Sequence, residues 1–222
     1  MDTTKRQARW AGLLYMMVAV SAPIGLMVVP GKLFVTGNAT ATADHLRAGA
    51  DLLRLGMASE LFHQAVEVYL VLALYNLFKD VSTPLARQMA LLGLIPIPIM
   101  FLNVLNEVAA LLLVQGAPLA ATLGKPQADA LAMLFLRLHS HGIQVAAIFW
   151  GLWLFPLGML VWRSGFIPKA IGVLVIASGI GYLIGSTATL ILPTWSGRVG
   201  MLTTLLEMGE PVLVLWLLIV GA

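Results

Sequence analysis

The chain has 222 residues, 60% of them hydrophobic and 10% charged, and a mean hydropathy of +0.95. A soluble domain carries about 25% charged residues, so this composition excludes one and defines an integral membrane protein. The net charge of +3 gives no case for nucleic acid, because the basic residues stand singly at the ends of apolar runs. Cysteine is absent, which removes disulfides and thiolate chemistry and leaves any metal only N and O ligands.

Uncharged apolar stretches of roughly 20 residues, enough to cross a hydrocarbon layer of ~30 Å, recur along the chain. They predict an all-α bundle of six transmembrane spans in a single domain, 1–222, at 10–30, 53–78, 88–114, 130–162, 167–191 and 201–220. The first run follows KRQAR and continues past AVSA to Pro30, too long for a cleaved signal, so it reads as a membrane anchor. ATADHLRAGADLLRLG, before the second span, reads either as an amphipathic helix at the outer surface or as an extension of that span.

Lys5, Arg6 and Arg9, then Lys79 and Arg87, then Arg163 and Lys169 mark one side, and the positive-inside rule puts both termini there, in the cytoplasm. Lys32, Arg47, Arg54, Lys125 and Arg198 fall on the other side, mostly in the longer connections 31–52 and 115–129. Pro23, Pro96, Pro98 and Pro156 should bend their helices or free backbone carbonyls. Ala177, Gly181 and Gly185 form a small-residue stripe suited to close helix packing, within the chain or in a homo-oligomer.

The second span carries ionisable residues on one face. At about 100° per residue, Glu60, His63, Gln64 and Glu67 share a narrow stripe. An ionisable group near the bilayer centre costs at least about 2.5 kcal/mol on insertion scales, so the stripe must face protein or water. Partners of suitable chemistry stand on other spans: Asn103, Asn106 and Glu107 on the third, Arg137, Ser140, His141 and Gln144 on the fourth, Thr203, Glu207 and Glu210 on the sixth. With the orientation above, all four sets fall in the outer half of the bilayer or near its midplane. His139 points about 160° away from His141, so HSH is no simple chelate, and His141 is the histidine expected in the site.

Three readings of this cluster follow. One is a polar pocket that binds a small ligand, an ion or a proton for transport or sensing. There Glu67 and Glu210 accept the proton or cation, His141 titrates nearest neutrality, and Asn103 and Gln144 orient the ligand. A second is an intramembrane metal-dependent enzyme holding a divalent ion with Glu60, His63, Glu67, His141 and Glu210, E-x-x-H being a bundle motif of carboxylate metal centres. The third is polar packing without a site, with Arg137 paired to Glu60 or Glu207. No G-x-S-x-G or H-E-x-x-H is present.

RWAGLLYM near the N-terminus, LYNLFKDVSTPLA after the second span, FWGLWLFPLGMLVWRSGFIPKAIGVLVIASGIGYLIG and the closing GEPVLVLWLLIVG together resemble the membrane family called domain of unknown function 4386. The most specific pieces are the turn at 163–172 and the stretch from Glu210 to Gly221. The resemblance covers nearly the whole chain and implies a multi-pass protein of the bacterial inner membrane with no established activity. It further implies that Glu67, His141 and Glu210 are the shared core of the site, with Glu60 and His63 adapting it in this member.

Overall fold

The computed structural model describes residues 3–116 and 122–221. Among them there is no strand, and nearly all the residues are helical. We number them α1 (Thr3–Pro23), α2 (Val29–Leu33), α3 (Ala39–Ala48), α4 (Ala50–Phe78), α5 (Thr83–Leu94), α6 (Pro96–Val114), α7 (Lys125–Ser164), α8 (Lys169–Ile191), α9 (Pro193–Glu207) and α10 (Gly209–Ile219). Among the described residues six stretches are long and apolar enough to cross a membrane: Thr3–Leu33, Ala50–Phe78, Thr83–Val114, Lys125–Ser164, Lys169–Ile191 and Pro193–Ile219. Each contains or overlaps one of the six expected spans. Helices dominate because a lipid-embedded backbone must satisfy its own hydrogen bonds. The expected connection at 115–129 includes 117–121, outside the described residues, and its last part already belongs to α7.

The prolines act in different ways. After Pro23 the helix widens to a π-helical turn, Ile24–Val28, and the Ser59 hydroxyl donates to the Ser21 carbonyl at 2.8 Å, one turn ahead of it. Pro96 opens α6 after a break at Ile95, whereas Pro156 sits inside an unbroken α7. The sixth stretch breaks near Met208, where Gly209 lies against the Leu174 backbone and the Ser178 hydroxyl donates to the Leu206 carbonyl at 3.0 Å.

The segment before α4 falls into two pieces. α3 is a separate helix, capped by the Asn38 side chain, which accepts from the Ala41 N–H at 3.0 Å, while residues from Ala50 onward extend the second span. Arg47 ties α3 down: it pairs with Asp44 and with the buried Asp129 of α7 and donates to the Val114 carbonyl.

The chain divides into two compact units, one of Met1–Ala19, Ala65–Pro98 and Gln144–Ala222, the other of Val20–Gln64 and Ile99–Ile143. The boundaries fall inside α1, α4, α6 and α7. The larger unit is built around Leu70, Leu74, Phe78, Leu154, Leu157 and Leu213. Its α7–α8 hairpin turns at Gly165, whose φ of +76 is left-handed, and Ser164 holds the turn by accepting from the Ile167 N–H. The smaller unit is built around Leu46, Leu53, Ala110, Ala132 and Leu136.

The small-residue stripe has a neighbour in its own chain. A Cβ on Gly181 would lie 2.9 Å from Leu206 Cβ, and one on Gly185 3.7 Å from Thr203 Cγ2, so this face of α8 packs on α9. Gly181 is buried there, while Ala177 and Gly185 are half-buried.

Candidate functional site: a buried carboxylate–imidazole centre

In the smaller unit, α4 presents Glu60, His63 and Gln64 inward and α6 presents Asn103 and Glu107, all buried, as the 3.6-residue period requires. α7 contributes His139. Its buried positions Ala128, Ala132 and Leu136 make an inward stripe, and His139 is the next residue on it. Glu60, Glu107 and His139 bring one ligand atom each within 4.8 Å of one another, with side chains at most 1% exposed. His139 Nε2 lies 3.1 Å from Glu60 Oε2 and 3.9 Å from Glu107 Oε2. Neither oxygen of Glu107, nor Glu60 Oε1, nor His139 Nδ1 has a hydrogen-bond partner among the described residues.

Two glycines set this geometry. A Cβ on Gly25, in the π-helical turn, would lie 2.5 Å from Glu60 Cγ, so only glycine lets that turn close over the carboxyl group. A Cβ on Gly142 would lie 2.5 Å from Asn103 Cγ; the space it leaves lets the Asn103 amide donate to the His139 carbonyl at 2.9 Å, pinning α6 to α7. Asn106 in turn donates to the Asn103 carbonyl and side-chain oxygens.

The fourth-span expectation needs correction. His141 is exposed, its Nδ1 2.7 Å from the Arg137 carbonyl, and Arg137 is exposed too, lining a surface cleft of about 240 Å³ with Gly37, Ala39 and Met133. Among the described residues Arg137 makes no ion pair with Glu60. The histidine that joins the carboxyl groups is His139, on the opposite face of the helix.

The remaining expected residues belong to the larger unit: Glu67 is buried, Gln144 and Glu207 are half-buried, and Glu210 is half-buried in the first turn of α10. Both Glu210 oxygens accept from tyrosine hydroxyls, Oε1 from Tyr15 and Oε2 from Tyr182 at 3.2 Å. Sequence reasoning passed over both tyrosines, since a single Tyr within an apolar run makes no periodic pattern. Glu210 therefore has its acceptors filled, in contrast to Glu107.

These features define a multi-pass helical membrane protein with ionisable side chains buried among its helices. The chain belongs to the family DUF4386, a domain of unknown function, whose profile matches residues 10–221. It is also 35% identical over 79 residues to an uncharacterized protein of Archaeoglobus fulgidus, a match covering 36% of this chain and 46% of that protein, less than half its length. No solved structure matches the chain.

Proposed function

We propose that this membrane protein binds a small cation at Glu60, Glu107 and His139 and uses it in transport or sensing. The observation that carries the reading is Glu107, a carboxyl group with no exposed surface and no hydrogen-bond partner among the described residues, held against a second carboxyl group and an imidazole. An unsatisfied buried polar group costs about 1–3 kcal/mol, more if charged, so polar packing alone gives no reason to keep it. A cation between the two carboxyl groups offsets that cost. Access is compatible with the surroundings: Leu61, Phe62, Leu102 and Leu105 are exposed apolar side chains on α4 and α6, and α7 exposes Leu134 and Leu138 together with Arg137, Ser140 and His141. That mixture suits a level near the membrane–water boundary, where a cation enters from water.

The test is a thermal melt of detergent-purified, chelator-treated protein with Na⁺, K⁺, Mg²⁺, Ca²⁺, Mn²⁺ or Zn²⁺ added singly. At 100 times its Kd a cation should stabilise the protein by about 2.7 kcal/mol, and the Glu107→Gln variant should not respond. A wild-type melt indifferent to all of them removes the reading.

We further infer that both termini are cytoplasmic, from the basic residues at 5–9, 79–87 and 163–169; a bacterial inner-membrane location is what the family resemblance implies. The cysteine-free chain makes the topology directly testable. With a membrane-impermeant thiol reagent on intact cells, Thr194→Cys should label and Asp80→Cys should label only after lysis. The reverse pattern inverts the topology.

A further inference from the structure

The geometry points to a divalent transition-metal ion of the zinc class as the cation held by Glu60, Glu107 and His139, with one coordination position left open. This rests on the cation reading above and names the class of ion. Three features select it. The first is charge: two carboxylates and one neutral imidazole balance a 2+ ion to zero, whereas a monovalent cation leaves a net negative charge buried among apolar helices. The second is donor type. Mg²⁺ and Ca²⁺ take six or more oxygen ligands, while an imidazole nitrogen suits zinc and its first-row neighbours. The third is distance. Metal bonds of about 2.0–2.2 Å place donor atoms roughly 3–4 Å apart; His139 Nε2 lies 3.1 Å from Glu60 Oε2 and 3.9 Å from Glu107 Oε2, and all three donors fall within 4.8 Å of one another.

Acidic residues near one another do not make a site. What distinguishes this set is Glu107, wholly buried and aimed at the other two donors with neither oxygen hydrogen-bonded among the described residues. Glu60 Oε1 likewise has no hydrogen-bond partner among the described residues, so the second carboxyl group also has an oxygen to give. Three protein ligands leave a tetrahedral ion one position for water or an exchanging ligand, the arrangement of exchangeable rather than purely structural centres. Gly25 is then a positioning residue, because a Cβ there would lie 3.1 Å from Glu60 Oε1 as well as against Cγ.

The experiment uses Co²⁺ as a visible-absorption probe on the full chain in detergent after chelator treatment, with Zn²⁺, Mg²⁺ and Ca²⁺ as competitors. The expected result is one Co²⁺ per chain, displaced by Zn²⁺ and held about 100-fold more tightly than Mg²⁺ or Ca²⁺. His139→Gln and Glu107→Gln should each weaken it about 100-fold or more. Gly25→Ala should weaken it less, and His141→Gln not at all. If Glu107→Gln does not fold, His139→Gln and Gly25→Ala carry the test. Cobalt binding that survives the His139 and Glu107 substitutions overturns the inference. Glu107-dependent stabilisation by Na⁺, Mg²⁺ or Ca²⁺ without cobalt binding overturns it while leaving the cation reading standing, and no Glu107-dependent response to any ion removes both.

Discussion

Glu107→Leu should yield a protein more stable than the wild type in chelator-treated buffer, by about 1–4 kcal/mol, and deaf to every cation. The sign follows from what the substitution leaves behind. Among the described residues Glu107 has no hydrogen-bond partner to orphan, and the contact between His139 Nε2 and Glu60 Oε2 at 3.1 Å stays intact. An unsatisfied carboxyl group is thus exchanged for a side chain of similar volume that suits an apolar interior. His139→Leu should behave oppositely, losing about 3–5 kcal/mol, because it strips Glu60 of its partner inside the bundle. Thermal melts of both variants beside the wild type decide the matter. If Glu107→Leu is the less stable protein without cations, Glu107 is scaffolding and no binding role need be given it. Stability surrendered at one residue and recovered with a ligand is the usual mark of a functional site.

The inward face of α4 was legible because Glu60, His63, Gln64 and Glu67 can share a stripe only on a regular helix, and lipid rejects them; all four are buried. The same logic failed on α7. At 40 residues it is about 60 Å long, twice the hydrocarbon thickness, so a polar stripe on it need not face protein. Of the expected stripe, Arg137, Ser140 and His141 are exposed and Gln144 is half-buried. The informative pattern was the small apolar one, Ala128, Ala132 and Leu136, which leads one turn later to His139. Tyr15 and Tyr182 were not legible at all, since a hydroxyl that reaches Glu210 from two other helices leaves no trace in local spacing. Nor could sequence say which small residues of α8 meet which neighbour. It carries one glycine face toward α9 and another, Gly172 and Gly179, toward α7.

That second face supports the other large expected effect: Gly158→Ala and Gly172→Ala should each destabilise the protein by about 1–3 kcal/mol. The two glycines meet reciprocally. A Cβ on Gly158 would lie 2.7 Å from the Gly172 carbonyl oxygen, and one on Gly172 2.6 Å from the Gly158 carbonyl oxygen. Seven residues along, Gly151 and Gly179 repeat the arrangement, at 2.9 and 2.7 Å. The obstructing atoms are backbone, so no rotamer change relieves the overlap and the helices themselves must separate. The short turn through Gly165 and Pro168 limits how far they can do so at the Gly158–Gly172 end. Because Gly158 and Gly172 crowd one contact, the double variant should lose less than the sum of the singles. Gly197→Ala is the control: nothing lies within 4 Å of a Cβ there, so α9 should gain about 0.5–1 kcal/mol from the lost backbone freedom of glycine. Equal melting of the Gly158 and Gly197 variants would mean that α7 and α8 have room to part. The close glycine contacts would then be incidental to the hairpin rather than what sets its spacing.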